Sequence, residues 1–437
     1  MNEGFKLPEL LAPAGNMERL LTAFCYGADA CYIGMTAMSL RNFADNFTIE
    51  QLKEASLLAH SMGKRIYVAC NAFARDEDLT ELPKLLLGIE KAGADAIILN
   101  DPGVLAVARR VVPDMELHLS TQANTLNSEA AKFWHEQGIK RIILARELRL
   151  DQIRYIREHT PKSLEFEAFV HGAMCVSYSG RCLLSNYING RDSNKGECAQ
   201  PCRWIYELRE KGSNGDYMTI EEDERGSYIL NSKDMNLIEH LPELCSAGLS
   251  SLKIEGRMKT AYYVATVVNA YRLALDEYAR CVLENRPFKV PSDILNELNY
   301  SSHRPYTTGF MFDECKMQGQ ATGSGGYIQE AVFAAIVISY DADKKQALIE
   351  QRNRFFVGDR LYILAPRDIG RSFEVKSIVR CEDGQSVLSA PHPREKLLIS
   401  CDEPLEAGSF LRLKERIVRS HIYKKAGEAN VSSGTGQ

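Results

Sequence analysis

Four of the twelve cysteines lie close together in the sequence, at Cys175, Cys182, Cys198 and Cys202. Four thiolates can bind a tetrahedral zinc ion or an iron–sulfur cluster. Zinc ribbons favour two short CxxC-like pairs, whereas the gaps here are six, fifteen and three residues. The spacing therefore favours a 4Fe–4S cluster over zinc, with unligated thiols as a third alternative.

Two further segments alternate polar side chains in a way that could serve chemistry. Strand alternation would place Glu165, Glu167, Phe169 and His171 on one face, and Lys253, Glu255 and Arg257 on one face of a later strand. A barrel interior must either pair such groups or use them, and a structural salt bridge is the alternative for the two acids. Cations that converge on a dry pocket could bind a dicarboxylate or a phosphate.

Eight short apolar segments, each followed by a helical pattern, could position these side chains. They lie at about 8–12, 29–34, 65–71, 95–100, 115–120, 140–145, 164–171 and 250–255. Eight βα units favour a TIM-like (β/α)8 barrel over an open sheet.

In such a barrel the chemistry lies just past the strand ends, where this sequence is unusually polar or small. The candidate catalytic residues are Glu167, His171 and Gln122, and the candidate substrate contacts are Asn71, Ser120, Lys253, Glu255 and Arg257. Each residue taken alone could instead be a helix cap, as Asn100-Asp101 before Pro102 illustrates. Seven polar strand ends together are harder to explain as caps.

The rest of the chain divides into an insertion, a second domain and a tail. The cysteines fall in a long insertion at about 172–231 within a barrel domain that spans 1–325, and a loop of that length is normally functional. Period-two apolar runs predict a small all-β domain, a barrel, over 330–425. The polar residues 426–437 predict a disordered tail.

Composition and charge narrow the class of protein. The chain has 437 residues, 45% of them hydrophobic and 25% charged, and no apolar run long enough to cross a bilayer. The first residues lack a signal-peptide pattern, so we expect a cytoplasmic protein with reduced cysteines. The net charge is -5, yet residues 330–425 hold 17 Lys and Arg against 14 Asp and Glu.

Three sequence stretches resemble the collagenase-like peptidase family thirty-two. They are the run from Glu167 to Ser185, which contains His171-Gly172-Ala173-Met174-Cys175, the opening Glu9 to Gly15, and Cys198-Ala199-Gln200-Pro201-Cys202-Arg203. A fourth, shorter stretch, Ser120-Thr121-Gln122, looks like the same family. The resemblance covers nearly the whole chain and is greatest to the tRNA hydroxylation branch of the family.

The resemblance implies a function that composition alone does not. It implies 5-hydroxylation of the wobble uridine of tRNA, a requirement for prephenate, and a 4Fe–4S cluster bound by the four cysteines. Partners would be tRNA and, as a further alternative, a paralogous protein of the family. The competing hypothesis is a peptidase of unknown catalytic type, although the sequence has no G-x-S-x-G or H-E-x-x-H motif.

The C-terminal domain is the predicted RNA-binding module. The arginines that would contact phosphates are Arg352, Arg354, Arg360, Arg367 and Arg371.

Overall fold

The computed structural model describes residues 6–36, 46–191, 193, 198–203, 222–223, 226–227, 233–312 and 328–414. Contacts divide the chain into two units, Met1–Pro291 with His303–Tyr327, and Ser292–Ser302 with Ile328–Gln437. Residues 292–302 thus belong to the second unit, although they precede the predicted boundary near residue 325. The predicted tail at 426–437 lies outside the described residues.

The first unit is built on a closed parallel barrel. The strands of the whole unit are β1 (Glu9–Pro13), β2 (Ala30–Gly34), β3 (Arg65–Ala69), β4 (Ala96–Leu99), β5 (Glu116–Leu119), β6 (Arg141–Ile143), β7 (Glu165–Ala173), β8 (Glu222–Asp223), β9 (Gly226–Ser227), β10 (Asp234–Asn236), β11 (Ser251–Ile254) and β12 (Tyr306–Thr307). Strands β1 to β7 pair in chain order, and β11 closes the ring by pairing with both β7 and β1. All eight predicted barrel strands are confirmed.

Five of the nine helices in the described part of this unit begin at a residue whose side chain caps the helix. They are α1 (Met17–Cys25), α2 (Ile49–Ser61), α3 (Asp76–Lys91), α4 (Pro102–Val111), α5 (Ser128–Glu136), α6 (Leu150–Glu158), α7 (Leu184–Asn189), α8 (Leu241–Ser246) and α9 (Ala261–Leu283). The Asp101 carboxylate accepts hydrogen bonds from the backbone N–H groups of Gly103 and Val104, at 2.7 and 3.1 Å. Asp101 is therefore the cap of α4, as its place before a proline indicates.

Strand β7 continues past the barrel wall. Its last residues pair antiparallel with β10, and β10 pairs with β12, so a short extension of the sheet grows from this one strand. The β7–β11 pairing contains a register shift, since Lys253 pairs with Phe169 whereas the next residue, Ile254, pairs with His171. One extra residue, Val170, is accommodated in β7 as a bulge.

The second unit is an antiparallel sheet with one helix. Its elements are α10 (Ser292–Asn299), β13 (Val332–Asp341), β14 (Gln346–Gln351), β15 (Phe355–Phe356), β16 (Arg360–Ala365), β17 (Asp368–Glu374), β18 (Ile378–Arg380), β19 (Ser386–Val387), β20 (Ser389–Ala390), β21 (Lys396–Ser400) and β22 (Phe410–Leu413). Eight strands form one sheet in the order β17-β16-β22-β13-β14-β21-β18-β19. The predicted fold class, an α/β barrel followed by an all-β domain, is confirmed.

The core of this sheet is made by alternate apolar residues such as Val337, Ile349 and Leu411, all buried. Helix α10 joins the unit through a buried ion pair, because the guanidinium of Arg412 on β22 lies 2.7 Å from the carboxylate of Glu297. Among the described residues, no helix is both long and apolar enough to cross a membrane.

Candidate functional site

Charged side chains fill the middle of the barrel. Glu9 on β1 accepts hydrogen bonds from Tyr67 on β3 at 2.7 Å and from Arg141 on β6 at 2.7 Å. Neither β3 nor β6 neighbours β1 in the sheet, so these contacts cross the barrel interior. The network also reaches Glu167, which lies 2.8 Å from the Lys253 ammonium and 3.4 Å from Arg141.

Two predicted site residues, Glu167 and Lys253, are part of this network. Glu167 is fully buried with both carboxylate oxygens next to cations. Burial alone would raise the pKa of Glu167, but Lys253 and Arg141 outweigh burial and lower it. The arrangement favours a structural role for Glu167 and Lys253, whose charges cancel each other inside the barrel.

A row of neutral polar side chains lies above the charged network, at the carboxyl ends of β3, β4 and β5. The Asn71 amide donates to the Ser120 hydroxyl at 3.3 Å, and Ser120 in turn lies 3.4 Å from the Gln122 amide oxygen. The Asn71 contact passes across β4, so both side chains face the interior. Three predicted residues, Asn71, Ser120 and Gln122, are therefore brought together at the barrel mouth.

The cysteine-containing loop is attached to the same end of the barrel. Arg146, just past β6, donates to the backbone oxygen of Ala173 and to the Ser179 hydroxyl, both at 2.8 Å. The Asn124 amide, just past β5, donates to the Ser179 backbone oxygen at 3.2 Å. These anchoring side chains were not among the predicted site residues, and the only signal for Arg146 in the sequence is its position at a strand end.

Glycine allows the loop to approach the barrel mouth closely. Gly180 has a left-handed backbone, φ 75°, and a Cβ atom at this position would lie 2.9 Å from the Gln122 side-chain nitrogen. Any other residue would be strained and would push against Gln122. The loop therefore rests directly on a predicted site residue.

The four clustered cysteines are distributed over this loop, with Cys175 and Cys198 exposed and Cys182 and Cys202 half-buried. Backbone N–H groups lie 3.5 Å from the Cys182 sulfur and 3.4 Å from the Cys198 sulfur, and Arg146 lies 3.7 Å from the Cys175 sulfur. Hydrogen bonds of this kind stabilise thiolates that ligate iron–sulfur clusters. The donor chemistry therefore fits such a cluster.

The sulfurs are not gathered around a common centre. Among the residues that the structure describes, no group of three or more His, Cys, Asp or Glu side chains is arranged to hold a metal ion. The structure thus places all four cysteines in one loop at the barrel mouth without joining them into a ligand set.

His171 lies away from the barrel interior, contrary to its predicted position. Partners in a parallel pair face the same side, and His171 pairs with Ile254, the neighbour of the inward-facing Lys253. The bulge at Val170 has reversed the alternation. The imidazole packs instead against Tyr271 on α9 and Tyr306 on β12, with ring centres 5.5 and 5.4 Å away. The expectation that His171 shares a face with Glu167 is wrong.

Burial strongly affects the protonation of His171. The residue is 1% exposed. Burial first, and the nearby His303 second, lower its pKa to about 3. The imidazole is therefore neutral near pH 7.

The last two predicted contacts lie past β11. The backbone N–H of Glu255 donates to the backbone oxygen of His171 at 2.8 Å. The buried guanidinium of Arg257 donates to the Asn46 side chain at 3.0 Å. Asn46 also lines a cavity of about 420 Å³ beside the start of α1. The contacts of Arg257 with Asn46 and Gly15 therefore place it by the loops that follow β1 and β2.

Acidic side chains neutralise the charge of some of the predicted phosphate-binding arginines in the second unit. Arg352 lies 2.8 Å from Glu350, and Arg371 pairs with Asp368. Arg360 donates to the Ser372 hydroxyl at 3.3 Å, and the Arg354 guanidinium stacks 5.1 Å from the Phe356 ring centre. Arg354 and Arg360 therefore have neutral partners in these contacts, whereas Arg352 and Arg371 have acidic ones.

Comparison with known families identifies the chain. The family model described as peptidase family U32 matches residues 15–321, and that of the peptidase family U32 C-terminal domain matches residues 329–412. The chain belongs to peptidase family U32. The two matched ranges correspond closely to the barrel and to the sheet of the second unit, and the predicted family membership is confirmed.

Several U32 relatives carry names that describe an activity. The chain is 39% identical to tRNA hydroxylation protein P1 of Bacillus subtilis, over 93% of this chain and 95% of the relative. It is 37% identical to tRNA hydroxylation protein P of Escherichia coli, over 82% and 86%. It is also 35% identical to a collagenase of Porphyromonas gingivalis, over 62% and 66%.

Proposed function

We propose that this U32 protein is an iron–sulfur enzyme that hydroxylates the wobble uridine of tRNA at carbon 5 and requires prephenate. The observation that carries the proposal is the cysteine loop anchored on the barrel mouth, next to Asn71, Ser120 and Gln122. Likeness to two tRNA hydroxylation proteins over more than four fifths of the chain supports the same activity.

Each part of the chain has a defined task in this proposal. Cys175, Cys182, Cys198 and Cys202 would hold a 4Fe–4S cluster, which would supply electron transfer when bound. Arg146 and Asn124 hold the loop against the barrel. The polar row would bind the base.

Prephenate needs cations, because a dicarboxylate left unpaired in a buried site is costly. Arg257 beside the cavity at Asn46 is the candidate for this contact. Lys253 is already neutralised by Glu167 and is less suited to it. Calorimetry of prephenate with the parent and with Arg257→Lys tests the assignment, since lysine cannot reproduce a bidentate contact.

The peptidase hypothesis rests on the collagenase relative and has weaker support in the geometry. One serine–histidine hydrogen bond, Ser163 Oγ to His135 Nε2 at 3.1 Å, lies before the start of β7. That is the barrel end opposite the strand ends where TIM-barrel chemistry takes place.

The decisive experiment is nucleoside mass spectrometry of tRNA from cells that lack the gene and carry the parent or a variant. The parent should restore 5-hydroxyuridine at the wobble position, Cys198→Ala should not, and the exposed Cys381→Ala should restore it fully. Gelatin cleavage by the same protein, together with no change in tRNA, would reject the proposal in favour of a peptidase.

A further inference from the structure

Asn100 is a buried amide without a hydrogen-bond partner among the described residues. It follows β4 and is 5% exposed, and in the part of the chain that the structure describes neither its side-chain oxygen nor its side-chain nitrogen has a hydrogen-bond partner. Leaving a buried polar group unpaired destabilises the folded protein. An apolar residue would avoid this cost, so the amide is a group held ready for a ligand.

The position of Asn100 places it in the polar row. Ile98 pairs with His118, and the ring of His118 packs 4.8 Å from Tyr67 across the barrel interior. Ile98 therefore faces inward, and Asn100, two residues further along an extended chain, faces the same way. It lies just past β4, the strand between β3 and β5, whose carboxyl ends are followed by Asn71 and Ser120.

The orientation of Asn71 is set by its neighbour. Its side-chain nitrogen donates to Ser120, and its side-chain oxygen is a second buried atom without a partner in the described part of the chain. Asn71 thus presents an acceptor, while Asn100 can offer both a donor and an acceptor.

The charge of the row defines the class of ligand. Asn71, Asn100, Ser120 and Gln122 are all uncharged, whereas an anion would need cations here. A uracil edge offers an N3–H donor flanked by two carbonyl acceptors, which complements an acceptor beside an amide nitrogen. Cytosine has an acceptor at N3 and would face the Asn71 oxygen without a proton between them.

We propose that Asn71 and Asn100 read the edge of the target uracil, with the Asn71 oxygen accepting from N3–H and the Asn100 nitrogen donating to a flanking carbonyl. This inference rests on the proposed function and specifies how the base is recognised. It makes both asparagines specificity-determining residues for uridine over cytidine.

The test uses anaerobically prepared holoprotein and two anticodon stem-loop RNAs that differ only by U or C at the wobble position. Asn100→Leu should weaken binding of the U stem-loop roughly 10-fold, the scale of a lost base-edge contact. Its melting temperature should stay unchanged or rise, because a buried unpaired amide is removed. Asn71→Leu should reduce the preference for U over C to near one.

Ser56→Ala is the matched control. Ser56 is also buried with an unpartnered hydroxyl among the described residues, but it lies on α2 outside the barrel. This variant should bind both RNAs like the parent.

Two results would overturn the inference. One is parent-like binding and preference in both asparagine variants, while the parent still hydroxylates tRNA. The other is a large loss of stability in Asn100→Leu, which would make the amide structural. If the parent itself neither binds nor hydroxylates the U stem-loop, the proposed function is wrong and the inference fails with it.

Discussion

At the scale of single residues, His171 shows how one inserted residue changes which groups can act together. The bulge at Val170 moves the imidazole from the barrel interior to a buried site among tyrosines. A neutral imidazole can pack among these rings. It does not pair with Glu167, whose carboxylate already forms an ion pair with the Lys253 ammonium. His171 therefore contributes to stability in a pH-dependent way.

We predict that His171→Phe reduces the acid sensitivity of the fold. The folded pKa of about 3 lies below the unfolded value. Stability is therefore complete above about pH 6.5 and falls by about 1.4 kcal/mol for each pH unit below it, until the folded pKa is reached. Urea unfolding at pH 7.5 and 5.5 should show a smaller loss in the variant by about that amount. Equal losses in both proteins would contradict the prediction.

At the scale of elements, the attachment of the cysteine loop to the barrel depends on Gly180. Gly180 and Gly190 both have left-handed backbones in this loop, with φ of 75° and 65°. Only the Gly180 site is crowded: a Cβ there meets Gln122, while nothing lies within 4 Å of one at Gly190. Comparing the same substitution at the two glycines therefore distinguishes the effect of backbone strain from the effect of steric contact with Gln122.

We predict that Gly180→Ala lowers the iron content and the melting temperature more than Gly190→Ala. Both variants carry the same kind of backbone penalty, of about 1 kcal/mol. Only Gly180→Ala also pushes the loop away from Gln122. Iron analysis and thermal unfolding of the two variants side by side measure the difference. Indistinguishable variants would mean that the contact with Gln122 does not position the loop.

The strands were predictable from the sequence and the contacts between loops were not. Some barrel strands, such as Ala96–Leu99, are apolar runs. Because both faces of such a strand are buried, its apolar sequence predicts the strand without knowledge of its partners. The bulge depends on the pairing of β7 with β11, which strand alternation cannot reveal.

The residues of the candidate site were predictable to a similar extent as the strands of the fold. Position at a strand end was enough to select Asn71, Ser120 and Gln122, because all parallel strands of a barrel end on one side. The anchoring role of Arg146 and the membership of α10 in the second unit depend on distant partners. Glu297 and Arg412 form a buried pair although 115 residues separate them.

At the scale of the whole molecule, two units divide the work in the proposed function. The barrel carries the cysteine loop and the polar row, and the second unit carries the predicted RNA-binding arginines. Arg352 and Arg371 are partly neutralised by acids, whereas Arg354 and Arg360 contact neutral groups and are therefore better candidates than those two for phosphate contacts.

We predict that Arg354→Ala with Arg360→Ala weakens tRNA binding and flattens its salt dependence. Each lost phosphate contact should reduce the log–log slope by about 0.7–0.9. Filter binding at several salt concentrations measures the slope. The matched control is Lys376→Ala with Arg380→Ala, which removes two cations paired with Asp402 and Asp383 in the same unit. An unchanged slope in the first variant would show that these arginines do not contact RNA.

The most direct test of the central claim is the iron and acid-labile sulfide content of protein purified without oxygen. The proposed cluster predicts about four iron and four sulfide per chain, with absorption near roughly 400 nm. Both should be lost in Cys198→Ala and retained in Cys381→Ala, whose cysteine is also exposed but lies in the second unit. Stoichiometric zinc without iron, or full iron retention in Cys198→Ala, would contradict the account.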